Sequence, residues 1–409
     1  MGLTVSIVIV SRHRPEALRL CLIGISQLDY QPLEIVIVAD PAACTGLRSV
    51  PQAAFAKIIP FDEANIAAAR NLGINAAAGE IIAFIDDDAV PEPTWITNLT
   101  APFSHVDTAA AGGFVRGRNG ISWQAQASSV DVTGKIAPIG LDKGLATILI
   151  PTRNRAIRTI GTNMAVRREV LVALGGFDLR FRFHLDDTDL NLRLAARDMC
   201  TALVPLAEVH HQSAANKRRT KDGAPLDLSE TGASWAVFLA KHCPEDRQQA
   251  AWARVEGQQR ERACSFMVDG LLEPRDVGHL MQQLRQGYAA GKSRESEKTA
   301  ITPDPTAPFQ PNPPRHDFRS VLMSGRFWSR AKLQQKARFE AETGSVVTLV
   351  LLSPTALFHK VHFTPDGYWQ QTGGIFGKSV RTQPLVALRS FRRRVHVESD
   401  RVGKVRGLR

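Results

Sequence analysis

The sequence has no long hydrophobic run. Its longest candidate, residues 346–352, has the length of a strand and falls short of the roughly 20 apolar residues that a membrane-spanning helix needs. The N-terminal stretch MGLTVSIVIVSRHRP places its apolar residues before its positive charges and lacks a small-residue cleavage site, so it predicts a first strand and not a signal peptide. We therefore expect a cytoplasmic protein.

Cysteine is scarce as well. The five cysteines among 409 residues are scattered without C-x-x-C spacing, and their odd number argues against a disulfide framework or a zinc knuckle. We expect them to be buried free thiols.

Two common nucleotide-binding motifs are absent. The first predicted strand runs into the segment SRHRPEAL without the G-x-G-x-x-G sequence that would admit a pyrophosphate at a helix N-terminus, which argues against NAD and FAD. No G-x-x-x-x-G-K-[ST] phosphate-binding loop occurs in the chain either. A bound nucleotide would therefore have to be held in another way.

The first half of the chain alternates short apolar runs with helix-length segments. The Ile- and Val-rich runs are nearly continuous, which indicates strands covered on both faces, as in a parallel α/β sheet. The predicted strands are TVSIVIVS, LEIVIVAD, AAFAKIIPF and EIIAFIDD, and the predicted helices are PEALRLCLIGISQL and NIAAARNLGINAAAG. The expected fold class is α/β, with a Rossmann-like, mostly parallel sheet flanked by helices.

Three consecutive carboxylates follow the fourth predicted strand. Asp86, Asp87 and Asp88 would repel one another unless a cation neutralises them or one of them is protonated. A Mg²⁺ or Mn²⁺ ion bound to a substrate diphosphate prefers such oxygen ligands, so a metal site is one interpretation. A solvated acidic turn is the other, and these residues alone do not decide between the two.

Several motifs in a fixed order resemble the family 2 glycosyltransferases with the GT-A fold, over about residues 3–215. The motifs are Ser11-Arg12-His13-Arg14-Pro15, Ala39-Asp40, Arg70-Asn71-x-Gly73, the D-x-D strand end Asp86-Asp87-Asp88, Gly175-Gly176-Phe177-Asp178 and Asp186-Asp187-Thr188-Asp189-Leu190. The resemblance implies an inverting, metal-dependent transfer of a sugar from a nucleoside-diphosphate sugar to a glycan or glycolipid acceptor. Such an enzyme would act in polysaccharide or glycoconjugate synthesis.

The resemblance also implies roles for single residues. The expected donor-binding residues are Ser11, Arg12, Asp40, Arg70, Asp86 and Asp87. A divalent metal, Mg²⁺ or Mn²⁺, would be held by Asp88 together with Asp86. Adjacent side chains on an extended chain point in different directions, so only one histidine of the pair His210-His211 is expected to reach the metal, and we choose His210.

The last motif carries the expected catalytic base. A sugar hydroxyl does not ionise at neutral pH, so it needs a base within hydrogen-bond reach as it attacks. The resemblance assigns this role to Asp187, whereas a carboxylate that only complements the helix dipole is the alternative. Asp186 and Asp189 are expected to orient the helix or to contact the acceptor.

The length of the chain indicates roughly two or three compact units. We predict a nucleotide-sugar-binding catalytic domain at residues 1–225, a helical extension at 226–298, a proline-rich linker at 299–314 and a small basic α+β unit at 315–409. The role of the last unit is open.

The excess of positive charge lies in the last quarter of the chain. Residues 311–409 hold 18 Lys and Arg against 6 Asp and Glu, whereas the formal net charge of the whole chain is +11. A solvated basic face is the simpler interpretation. Peripheral contact with an anionic membrane at its inner face, or with an anionic polysaccharide, is the alternative, and we expect no nucleic-acid partner.

Two other functions compete with glycosyl transfer. A sugar nucleotidyltransferase shares the α/β layout and the carboxylates but needs a Gly-rich first loop with a Lys-bearing signature, which SRHRPEAL does not supply. A catalytically silent GT-A scaffold would use the basic C-terminal region as its binding module. The intact candidates for base, metal and donor sites argue against the scaffold.

Overall fold

The computed structural model describes residues 2–212, 214–215, 217–295, 301–315 and 319–408. The strands of the N-terminal unit are β1 (Val5–Ser11), β2 (Leu33–Ala39), β3 (Lys57–Pro60), β4 (Ile81–Asp86), β5 (Ala89–Pro91), β6 (Thr108–Arg116), β7 (Trp123–Ala125), β8 (Ser128–Asp131), β9 (Ile136–Pro138), β10 (Thr147–Leu149), β11 (Arg155–Ile157), β12 (Met164–Arg167) and β13 (Cys200–His211). Its helices are α1 (Pro15–Ile25), α2 (Pro41–Leu47), α3 (Ile66–Ala76), α4 (Trp95–Thr100), α5 (Arg168–Leu174) and α6 (Asp186–Ala195). The expected α/β fold class is confirmed.

The main sheet has the strand order β10-β13-β6-β12-β4-β1-β2-β3, with β5 and β7 paired to β13 and β6. Strands β4, β1, β2 and β3 run parallel, whereas β12 runs antiparallel to both of its neighbours. Strands β8, β9 and β11 form a separate small sheet. Because Val10 pairs with Asp86, β1 and β4 end at the same edge and bring Ser11 beside the aspartate triplet.

Both faces of the main sheet are covered by helices. In β1, Ile7 and Ile9 pack in the cluster that includes α1, α2 and α4, whereas Val8 packs in the cluster that includes α3, α5 and α6. Gly73 of α3 lies so close to the sheet that a Cβ there would clash with Val8. The nearly continuous Ile and Val runs are thus explained by burial on two sides.

Three helices follow within residues 217–295, where the sequence predicts a helical extension: α7 (Ser229–His242), α8 (Glu245–Val268) and α9 (Pro274–Gly291). Phe238 of α7 packs in one apolar cluster with Phe181 and Leu185, the residues that precede α6. The extension therefore supports the start of α6 from outside the sheet.

Residues 301–315 form an extended segment that lies along the N-terminal unit. The Thr306 amide donates to the Asn75 carbonyl at 2.7 Å, and the Asn312 amide donates to the Leu33 carbonyl at 2.7 Å. The Gln310 amide donates to Glu34 Oε2 at 2.9 Å. These contacts hold the segment against the amino ends of the strands, opposite the edge where the aspartate triplet lies.

The C-terminal unit has a second sheet. Its elements are β14 (Ser320–Arg326), α10 (Arg330–Glu342), β15 (Val346–Ser353), β16 (Lys360–Phe363), β17 (Trp369–Gly374) and α11 (Phe391–Arg406). The strand order is β14-β15-β17-β16, in which the first three strands run parallel and β16 runs antiparallel. In the described residues no helix has both the length and the apolar composition that crossing a membrane would require.

The C-terminal unit docks on the N-terminal unit through a buried ion pair. Arg406 Nε and Nη2 each lie 2.8 Å from a carboxylate oxygen of Glu92, and both side chains are 1% exposed. The Arg406 guanidinium also lies 4.3 Å from the ring of the fully buried Trp369. The expectation of a solvated basic face is therefore wrong for Arg406, and also for Arg394, which is buried beside Glu398.

Candidate active site

A cleft of about 740 Å³ opens at the carboxyl ends of β1 and β4 and reaches the start of α6. Seven of the residues predicted from the sequence line it: Ser11, Arg12, Arg70, Asp86, Asp88, Asp186 and Asp187. The D-x-D strand end and the expected catalytic base therefore share one cavity. Asp40, Asp87, Asp189 and His210 are not among its lining residues.

Asp87 lies behind the cleft and is fully buried. It accepts a hydrogen bond from Ser11 Oγ at 2.7 Å, and its other oxygen lies 2.5 Å from Arg14 Nη2. Burial, together with the charges of Asp88 and Asp86, raises the pKa of Asp87 to about 7 despite Arg14. Ser11 and Asp87 thus fix the floor of the cleft.

Asp88 has several donors around its carboxylate. His211 Nε2 lies 3.0 Å from one oxygen, and the Ala214 amide and Arg219 Nη2 donate to the other at 2.8 and 2.9 Å. Burial alone would raise the pKa of Asp88, but the hydrogen bond and charge of His211, with Arg14 and Arg219, hold it well below its usual range. Asp88 is therefore ionised in this arrangement.

Arginines supply the charge opposite the aspartate triplet. Arg14 Nη1 lies 3.1 Å from Asp88, and Arg70 Nη2 lies 3.2 Å from Asp86. Neither Arg14, which belongs to the first motif, nor Arg219 is predicted from the sequence to lie against the triplet. The residues described here neutralise the triplet from within the protein.

Arg70 connects α3 to the start of α6. It forms a close, buried ion pair with Asp186, and its guanidinium lies 5.4 Å from the Phe177 ring centroid. Burial raises the pKa of Asp186 to about 6, with Arg70 opposing and Asp187 adding to the rise. Arg70 and Asp186 therefore hold α6 in place at the edge of the cleft.

Asp187 occupies the first turn of α6, after Leu185 in a left-handed backbone conformation. Its Oδ2 accepts the Gly161 amide at 2.9 Å, and its Oδ1 accepts the Thr188 hydroxyl at 3.0 Å. Besides the main cleft it lines a second pocket of about 280 Å³, which Trp235 and Arg158 also line. The Asp187 side chain thus lines both cavities.

His210, the histidine expected from the sequence to reach the metal, lies outside the cleft that Asp86 and Asp88 line. His210 Nε2 lies 2.8 Å from Glu92, its ring lies 4.6 Å from Trp369, and burial lowers its pKa to about 4 despite Glu92. His211 faces the cleft instead, because neighbouring side chains on β13 point to opposite sides. The alternation of side chains along a strand does not reveal which of the two residues faces the cleft.

Two other predicted residues, Asp40 and Arg12, have contacts within the protein. Asp40 is 2% exposed and accepts the amides of His13 at 2.7 Å and Ala43 at 3.1 Å, so it caps α2 and shapes the first turn. Arg12 pairs with Asp62 at 2.8 Å at the mouth of the cleft.

Asp189 anchors α6 to α7. It contacts Arg193 at 2.8 Å, Lys241 at 2.7 Å and His242 at 2.8 Å. Of its two expected roles, these contacts favour orienting the helix.

Asp86, Asp88 and His211 form a group that fits a divalent cation. One ligand atom from each lies within 4.8 Å of the others, and two carboxylates with one imidazole are ligands that such a cation accepts. A second group, formed by Glu92, Glu208 and His210, has the same spacing. All three of its residues are buried and none of them lines the cleft, so a cation bound there would not reach a ligand in the cleft.

Comparisons with known proteins identify a family for the N-terminal unit. The family described as "Glycosyltransferase like family 2" matches residues 3–224. The O-antigen biosynthesis protein RfbC of Myxococcus xanthus is 27% identical over 321 residues, which cover 65% of this chain and 24% of that protein. The glucosyl-dolichyl phosphate glucuronosyltransferase of Haloferax volcanii is 28% identical over 186 residues, which cover 44% of this chain and 56% of that protein.

Among solved structures, that of GalNAc-T7 with UDP, GalNAc and Mn²⁺ has a TM-score of 0.45 at 16% identity and covers 61% of this chain and 51% of that chain. The chain spans about a quarter of one curated relative and somewhat more than half of the other. The family match covers more than half of the chain. The chain therefore belongs to the family described as "Glycosyltransferase like family 2".

Proposed function

We propose that the protein is an inverting glycosyltransferase that moves a sugar from a nucleoside-diphosphate sugar to a hydroxyl of a glycan or glycolipid. The observation that carries this proposal is that Asp187 shares one cleft with Asp86, Asp88 and His211 and also opens into a second pocket. Donor and acceptor would meet at this carboxylate.

The main cleft has the surroundings that a nucleoside diphosphate needs. Val10, Val38 and Phe61 give part of the cleft an apolar wall, which suits the nucleobase. Arg14, Lys217 and Arg219 line the same cleft and suit the diphosphate. The apolar wall and the cations together support a nucleotide sugar over a free sugar.

A divalent cation, Mg²⁺ or Mn²⁺, would be held by Asp86, Asp88 and His211. When bound, it would neutralise charge that grows on the leaving nucleoside diphosphate. Arg14 and Arg219 would stabilise the same charge from the protein side. The metal is thus an addition to cations that the chain already provides.

Asp187 is the proposed general base. It would accept the proton of the acceptor hydroxyl while that oxygen bonds to the anomeric carbon and the bond from that carbon to the diphosphate breaks. The Gly161 amide and the Thr188 hydroxyl hold the carboxylate in orientation. One displacement at the anomeric carbon inverts its configuration.

The test is release of nucleoside diphosphate from UDP-, GDP- and dTDP-sugars, measured with acceptor extracts and with either Mn²⁺ or EDTA. Asp187→Asn is expected to lower the rate by about 10²- to 10⁴-fold while nucleotide binding is kept. Asp107→Asn, at an exposed position, is the matched control.

The scaffold alternative predicts no release with any donor and no effect of Asp187→Asn. Either of these results would end the proposal of catalysis.

A further inference from the structure

The carboxyl edge of the C-terminal sheet carries a concentration of exposed apolar side chains. Strands β14, β15 and β17 end together, because Arg326 pairs with Leu352 and Ser353 pairs with Gly374. Eight of the 18 large hydrophobic side chains that are exposed in the described residues lie just beyond these ends, at positions within 327–328, 357–358 and 380–388. Among them Leu388 is 90% exposed and Trp328 is 75% exposed.

Direct contacts join these segments into one surface. The Gly374 amide donates to the Leu357 carbonyl at 2.9 Å, and the Ala387 amide donates to the Phe376 carbonyl at 3.0 Å. The Arg326 guanidinium lies 4.6 Å from the ring centroid of Phe391, at the start of α11. We call residues 326–330, 354–358 and 375–392 the carboxyl-edge surface.

The carboxyl-edge surface is basic. Its segments contain Arg326, Arg330, Lys378, Arg381, Arg389 and Arg392 but no Asp or Glu. Lys378 lies over the ring of Phe358 at 4.9 Å, which places a cation directly beside an exposed aromatic ring. Apolar and cationic groups therefore alternate over the surface.

The carboxyl-edge surface faces away from the N-terminal unit. That unit is contacted from the opposite end of the sheet, where Trp369 begins β17 and Val346 begins β15. The C-terminal end of α11 lies there as well, since the Thr94 amide donates to the Val405 carbonyl at 3.2 Å. Docking of the two units thus leaves the carboxyl-edge surface open.

We propose that the carboxyl-edge surface binds the surface of an anionic phospholipid bilayer. Exposed leucine, valine and tryptophan side chains gain by entering the interface between head groups and acyl chains. The surrounding lysine and arginine side chains attract anionic head groups, and each such side chain raises the affinity for the bilayer by about fivefold at low salt. Charge complementarity favours an anionic bilayer as the binding partner, because the segments of the surface contain Lys and Arg but no Asp or Glu.

This inference is independent of the proposed sugar transfer. It concerns a surface in the C-terminal unit, and no residue of the catalytic cleft takes part in it. The buried ion pair of Arg406 and Glu92 joins the two units and so fixes the position of the carboxyl-edge surface relative to the cleft.

The experiment is sedimentation of the full chain with vesicles of phosphatidylcholine alone or mixed with phosphatidylglycerol. We expect binding to the mixed vesicles only, and weaker binding as salt is raised. Arg381→Gln/Arg392→Gln should lower the partition coefficient by about fivefold per charge, and Leu385→Ser/Leu388→Ser should lower it at least tenfold. Val268→Ser and Arg275→Gln, which change exposed residues outside this surface, are the matched controls.

The proposal is overturned if the full chain ignores anionic vesicles, as it would if the surface served a protein partner. It is also overturned if both vesicle types bind equally or if the control variants lose as much binding as the surface variants. Melting temperatures of all variants check that they are folded. Asp187→Asn should sediment like the unmodified chain, so a failed transfer assay and a failed vesicle assay remain distinguishable.

Discussion

The ion pair between Arg406 and Glu92 provides a sharp test of how the two units are joined. Both side chains are 1% exposed, and two contacts of 2.8 Å connect them. Arg406→Met would leave the Glu92 carboxylate buried near Glu208, with His210 as its side-chain hydrogen-bond partner in the part of the chain that the structure describes. Removal of one partner from a buried pair costs about 3–5 kcal/mol, so we expect the free energy of unfolding to fall by that amount.

Urea unfolding followed by tryptophan fluorescence measures this change, because the Trp369 ring lies 4.3 Å from the Arg406 guanidinium. Glu92→Met/Arg406→Met removes both charges and should cost less than either single change, since a buried pair can be replaced by apolar residues at little cost. Arg275→Met is the control, because Arg275 and Glu273 are 82% and 63% exposed and such pairs contribute under about 1 kcal/mol. A cost near that of the control for Arg406→Met, or strictly additive single changes, would refute the reasoning.

Two further predictions concern the cleft and its supporting helix. His211→Ala should weaken Mn²⁺ binding about tenfold or more in calorimetric titrations. His210→Ala should lower stability and leave Mn²⁺ binding within twofold. The opposite result would favour His210 as the metal ligand. Burial would raise the pKa of Asp189, but Arg193, His242 and Lys241 lower it to about 2. The ionised form of Asp189 therefore stabilises the folded state above pH 4, and this contribution is lost as the pH falls toward 2. Asp189→Asn should therefore cost about 2 kcal/mol at pH 7 and progressively less below pH 4 in urea unfolding, and a cost independent of pH would contradict this assignment.

The main sheet could be predicted from the sequence because its signals are local. Each Ile- and Val-rich run ends in a polar residue, and parallel strands bring such residues to one edge. The family resemblance assigned Ser11, Asp86 and Asp88 to donor and metal binding, and the structure has all three in one cleft. The acidic start of α6 was predicted from carboxylates before a helical repeat.

The choice within the histidine pair could not be made from a strand period alone. Side chains at positions 210 and 211 alternate, but which one faces the cleft depends on how β13 pairs with its neighbours. His211 pairs with Ala89 and His210 with Val90, and the register between β13 and β6 shifts just before them. Such a shift in strand register cannot be recognised from the sequence.

The partners of the aspartate triplet show the same limit on a larger scale. Asp88 meets Arg14, which is 74 residues away, and Arg219, which is 131 residues away. The sequence next to the triplet does not indicate that these arginines lie close to it. From the local sequence alone, a bound metal is therefore the opposing charge that we expect. The structure shows that the protein can keep the three carboxylates together by itself, because Arg14, Arg70 and Arg219 lie against them. Any dependence of the proposed transfer on a divalent cation would therefore arise from the charge of the donor and not from the stability of the strand end.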